Sequence, residues 1–171
     1  SLTLLGGARE GARALIEAHD MQHAPGPGPL PRSTHRWLTQ TRSALYERAS
    51  EAPLLRIIDV PTLGYTLNGV RFTRGRATRN KRGEHIVAVS LDADPEQVAI
   101  QILHEETHPI TDPAVRARYQ QVEQRTDGSG AGGALHLELE QLVVDVDAAI
   151  IAARTPELVE AYTVWRAQFG M

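Results

Sequence analysis

His104-Glu105-Glu106-Thr107-His108 joins residue types and a spacing that together make a chemical argument. On a helix, residues four apart share a face, so both imidazoles can reach one cation. Glu105 sits about 100° round the helix from His104, beside that pair. It can contact a water on the cation without binding the cation itself. This is the arrangement for metal-assisted hydrolysis: the metal lowers the pKa of the water and the carboxylate takes its proton. Imidazole ligands in a chain without cysteine point to Zn2+. Glu106 turns away toward the apolar side and is expected to matter less to chemistry.

The motif needs a helix to work, and the flanking sequence supplies one. Asp94-Pro95-Glu96-Gln97 is a helix start, with Asp94 as cap, Pro95 in the first turn and Gln97 in the capping-box position. The helix is expected to run to His108 and stop at Pro109. Around it, Val98, Ala99, Ile102 and Leu103 cluster on one side, and Gln101, His104, Glu105 and His108 on another. Upstream, residues 54–60 form a short apolar run, and Asn68-Gly69 within Tyr65–Phe72 signals a hairpin turn. Residues 73–84, with Arg74, Arg76, Arg79, Lys81 and Arg82, read as a loop, most simply a solvated one. His85–Leu91 is the best strand, β-branched and without a breaker. Downstream, Pro113–Gln124 is a further helical candidate, Asp127–Gly133 a flexible loop, and Ala134–Ala153 a long helix. Thr155 caps a last helix. At the other end, residues 7–21 read as a helix and Ala24–Pro31 as an extended Pro/Gly connector. A second helix over Ser33–Ala52 follows, with Ser33 as N-cap; its Arg36, Arg42, Glu47 and Arg48 are expected on a solvated face.

A strand, a short turn and a helix bearing HExxH resemble the zincin metallopeptidases, over roughly residues 54–153 in order of elements. The resemblance implies a zinc peptidase whose peptide substrate pairs along the edge strand before the active-site helix, here 85–91. It also implies a third protein ligand. Pro109-Ile110-Thr111-Asp112-Pro113 departs from the metzincin pattern of Gly and then His after the motif. The gluzincin branch takes a Glu from a later helix, here the one from Ala134. His136 and Glu140 lie four apart on one face of that helix, so one can bind metal while the other orients it. Glu138 lies on the other side, near Asp145. Glu140 is the favoured ligand with His136 beside it; His136 and Glu138 remain as alternatives. Gluzincins commonly carry an acid four residues past the ligand, which falls here on Leu142 or Val144. Tyr119, His136 and Tyr162 are candidate donors to an oxyanion.

Composition narrows the rest. The absence of cysteine excludes disulfide scaffolds, thiolate metal sites and cysteine nucleophiles. A net charge of −3 argues against general nucleic-acid binding, and the basic loop is the sole feature that favours it or an acidic partner. Aromatics make up 5% of residues, so the core must be aliphatic. No apolar run is long enough for a membrane span, and Ser1–Leu5 is too short for a signal-peptide core, so a cytoplasmic location is expected. The expected architecture is one α+β domain over residues 1–171, with N-terminal helices in 1–53 and a sheet of three or four strands plus the metal-site helices in 54–171. A zinc metallopeptidase is one reading. The other is a non-catalytic binding or regulatory module stabilised by metal.

Overall fold

The computed structural model describes residues 30–46, 51–123 and 131–171. The helix expected at 7–21 and most of the Pro/Gly connector lie outside the described residues. Helix α1 (Arg32–Leu45) is followed by strands β1 (Leu55–Asp59), β2 (Gly64–Leu67), β3 (Val70–Thr73), β4 (Arg76–Arg79) and β5 (His85–Val89). Three further helices complete the chain: α2 (Pro95–Glu123), α3 (Ala131–Arg154) and α4 (Val159–Ala167), with 3-10 turns at Pro61–Leu63 and Pro156–Leu158. The α+β class expected from the sequence is what the fold shows.

Three strands make a mixed sheet in the order β1-β5-β4, with β1 parallel and β4 antiparallel to β5. β5 is thus the central strand, and all five of its residues are buried. Its β-branched sequence suits burial on both faces. Ile57, Val87 and Val89 face the main core with Phe72, Ile102 and Leu103, while Ile58, Ile86 and Ala88 face a smaller cluster closed by Val60 and Leu63. Residues 85–91 therefore cannot offer a free edge to a peptide. The edges belong to β1 and β4, and β4 lies inside the stretch expected to be a loop. The basic side chains of that stretch leave the strand no hydrophobic alternation to announce it. Its register is fixed by a turn in which the Asn80 side chain accepts from the Arg82 and Glu84 amides and Gly83 takes φ 80°.

The β2–β3 hairpin forms as Asn68-Gly69 predicts. Both residues have positive φ, 50° and 79°, which is the geometry of a type I′ turn. The hairpin is tied to the start of α2: Arg71 and Asp94 exchange bonds, Asp94 N–H to the Arg71 carbonyl at 3.0 Å and Arg71 N–H to Asp94 Oδ2 at 3.3 Å. The Asp94 carboxylate thus serves the hairpin. Gln97, expected in a capping box, is buried and donates instead to the Ala161 carbonyl on α4. Ser33 likewise is no cap, because α1 begins one residue earlier after Pro31. Thr155 precedes the last helical segment as expected, but its hydroxyl makes no capping bond.

The largest departure is α2. It passes through Pro109 and Pro113 and merges two expected helices into one. Each proline removes one N–H, leaving the carbonyls of Glu105 and Pro109 without their helical donors. Both prolines are exposed, while Thr107, Thr111 and Val115 are buried. The inner face is held by packing, and the missing bonds fall on the wet side.

Arg42 also departs from its expected solvated face. Its Nε donates to Glu106 Oε1 at 2.9 Å, and its guanidinium also donates to the Pro53 carbonyl. Glu106 is fully buried, so Arg42 is its compensating charge and fastens α1 to α2. Arg42→Met should destabilise the fold by about 3 kcal/mol, the low end for breaking a buried pair because Arg42 is partly exposed. The double variant Arg42→Met/Glu106→Leu should recover most of that loss in urea unfolding. A double variant as unstable as the single one would contradict this role.

Candidate metal centre

His104 and His108 fall one turn apart on the face of α2 that meets α3. Glu140 reaches them from α3. Its Oε2 lies 3.0 Å from His104 Nε2 and its Oε1 lies 3.1 Å from His108 Nε2. The two Nε2 atoms are 3.3 Å apart. Ligands held about 2.0–2.1 Å from a tetrahedral zinc stand roughly 3.3 Å from one another. Taking one donor atom from each side chain, the three lie within 4.8 Å of one another, close enough to converge on one cation. They form a compact group of ligand-capable residues among those described.

The other ring nitrogens are held as well. His104 Nδ1 is 3.0 Å from Asp147 Oδ2, and Asp147 Oδ1 accepts from the Thr107 hydroxyl at 2.6 Å. His108 Nδ1 is 3.0 Å from Asp112 Oδ1. A carboxylate accepting from Nδ1–H fixes the tautomer that leaves the Nε2 lone pair for a metal. Each candidate imidazole ligand thus has its own orienting carboxylate, one fully buried and one partly exposed. The ring of Trp165 on α4 lies 5.0 Å from that of His104 and packs against it.

Glu140, favoured from the sequence, is the third residue of the group. His136, expected beside it, is exposed, and neither His136 nor Glu138 belongs to the converging set. Of the oxyanion-donor candidates, Tyr162 is buried and gives its hydroxyl to the Val144 carbonyl at 3.0 Å. Burial pushes its pKa far up and the neighbouring Asp147 carboxylate adds to the shift, so the hydroxyl lies beside the acid that holds His104. The side chain of Tyr119 lies outside the described residues. Asp147 and Asp112 escaped the sequence reading for separate reasons. Asp147 lies seven residues beyond Glu140, two turns on along the same face, where the family pattern looks only four residues on. Asp112 lies four residues beyond His108, a neighbour only if the helix survives Pro109.

Glu105 stands beside this group, half-buried. Its Oε1 accepts from Gln101 Nε2 at 3.1 Å, and Gln101 Oε1 accepts from the Trp165 indole N–H at 3.3 Å. An indole nitrogen can only donate. It therefore sets which end of the Gln101 amide faces Glu105, and the carboxylate there meets a donor.

The charges are strongly coupled. Burial opposes the His104 imidazolium, but Asp147 and Glu140 on either side of the ring outweigh it and push the pKa up to about 10. The same balance raises His108: burial opposes its charge, and Glu140 with Asp112 overcomes it. Burial would raise Glu140, yet the two imidazoles hold it well below the usual carboxylate range. Burial raises Asp147, with the His104 bond working against it.

A pH signature follows from His104. Its folded pKa lies above the unfolded value of about 6.5, so its protonation stabilises the chelator-treated protein fully below that pH. The contribution is lost as pH rises toward about 10. A cation must displace this proton, so its stabilising effect grows over the same window. Thermal melts at pH 6.5, 7.5 and 8.5 should show a falling Tm with chelator and a widening gap once zinc is added. A gap that is constant or narrows as pH rises would contradict His104 as a ligand.

No protein-family model, curated protein or solved structure matches the chain.

Proposed function

We propose that the chain is a zinc-dependent metallopeptidase in which His104, His108 and Glu140 hold the ion and Glu105 is the general base. One observation carries the reading: the Nε2 atoms of an HExxH pair converge with a Glu from the next long helix, while carboxylates hold both Nδ1 atoms. The donor set of two imidazoles and one carboxylate fits zinc, and three protein ligands are what a hydrolytic site uses. The arrangement also resembles the gluzincin branch of the zincins in taking its third ligand from a later helix.

Zinc, when bound, would supply the Lewis acidity that makes a water nucleophilic at neutral pH and polarises a carbonyl. The rest falls to the chain. Gln101 holds Glu105 Oε1, which leaves Oε2 to take a proton from the attacking water. As the water oxygen bonds to the peptide carbon and the C–N bond breaks, Glu105 passes that proton to the departing amine. Asp147 and Asp112 keep both imidazoles in the metal-binding tautomer throughout. Glu106 takes no part; it is buried on the opposite side against Arg42.

Glu105→Gln keeps the size of the side chain but cannot accept the proton. It should fold, retain zinc and lose casein or peptide hydrolysis by at least about 10²-fold. A variant that cleaves as fast as the parent would end the proposed mechanism. The alternative, a metal-stabilised binding module, predicts zinc binding in both proteins and hydrolysis in neither.

A further inference from the structure

β4 is an edge strand. β5 takes one side, and among the described residues no strand pairs with the other. A sheet edge carries main-chain N–H and C=O groups that accept an extended segment readily. What distinguishes this edge is its charge. Arg74, Arg76, Arg79, Lys81 and Arg82 fall within nine residues, while the whole chain carries −3. Those nine residues contain no acid, and Glu84, two residues beyond them, is already shared between Arg56 and Arg82. Arg74, Arg79 and Lys81 are exposed, and Arg74 lies over the Tyr65 ring at 4.5 Å. Cations on an edge strand repel a second copy of the same edge. They attract a segment of opposite charge by the same physics.

The edge also leads to the candidate site. Gly75, immediately before β4, is buried against α2. A Cβ there would lie 2.7 Å from Gln101 Nε2 and 2.8 Å from Glu105 Oε1. A larger residue there would have to displace Gln101 and Glu105, so the glycine lets the backbone lie against the proposed base. The backbone entering β4 therefore lies against Glu105, so the start of the strand, where a paired segment would begin or end, is the part nearest the proposed base.

We infer that β4 and the turn after it bind an extended acidic polypeptide segment, and that such segments are the substrate class brought to Glu105. The second clause rests on the hydrolase reading; the binding does not. The experiment uses the full Glu105→Gln chain loaded with zinc and a fluorescently labelled ten-residue peptide rich in Asp and Glu. Three comparison probes are its Lys-substituted counterpart, the acidic peptide N-methylated at alternate amides, and a single-stranded oligonucleotide of equal charge. By anisotropy, the acidic peptide should bind at least about 10-fold tighter than each of the three. Its affinity should fall with salt. Arg76→Glu/Arg79→Glu should weaken it by about 10-fold or more while leaving zinc content unchanged. Equal binding of the Lys peptide removes the charge preference. Equal binding of the N-methylated peptide removes strand pairing. Equal binding of the oligonucleotide makes the edge a general anion surface. Any of the three overturns the inference. Casein cleavage by the parent chain, measured in parallel, separates the two ideas. Cleavage without acidic preference refutes the inference and leaves the hydrolase. Acidic binding without cleavage keeps the binding edge and removes the claim on substrate.

Discussion

The buried Asp147 carboxylate is the constraint on which the site depends. A carboxylate taken out of water costs several kcal/mol unless its oxygens are met by donors. Here Thr107 meets one oxygen and His104 Nδ1 the other. Both donors belong to α2 and the acid to α3, so satisfying the acid fixes the register of the two helices. Glu140, two turns earlier on α3, then reaches the opposite nitrogen of the same ring. One imidazole is thus gripped at both ends by one helix. The second imidazole, one turn on, meets the other oxygen of Glu140 without further adjustment.

The two acids inside the motif divide along the same line. Glu105 faces Gln101 and the backbone at Gly75, beside His104, and Glu106 points to the protein interior, where Arg42 neutralises it and the His85 ring lies nearby. A 100° step round the helix separates a group available for chemistry from one spent on holding α1 in place. Trp165 extends the logic to the C-terminal helix, because its ring packs on His104 and its indole N–H orders Gln101 and, through it, Glu105. Two elements packed on α2 besides α3 thus meet side chains of this face: α4 through Trp165, and the entry to β4 through Gly75.

Much of this is legible in the sequence, because HExxH spacing and helical periodicity rest on the same geometry. The helix start at Pro95, the Asn68-Gly69 hairpin and the buried strand at 85 depend on local chemistry and appear where that chemistry puts them. Glu140 was reachable through its place on a later helix. The failures are non-local. Pro109 and Pro113 are breakers by propensity, and only packing of Thr111 and Val115 shows why the helix continues. β4 has no apolar pattern and owes its existence to β5. Asp147 and Arg42 look like ordinary surface charges until tertiary structure supplies their partners.

The measurement that bears most directly on the central claim is zinc content by elemental analysis of the full chain, purified without chelator, beside His104→Ala, Glu140→Ala and His136→Ala. One zinc per parent chain is expected, with loss in His104→Ala and Glu140→Ala and no change in His136→Ala. Zinc near zero in the parent, or loading untouched by His104→Ala, would contradict the claim.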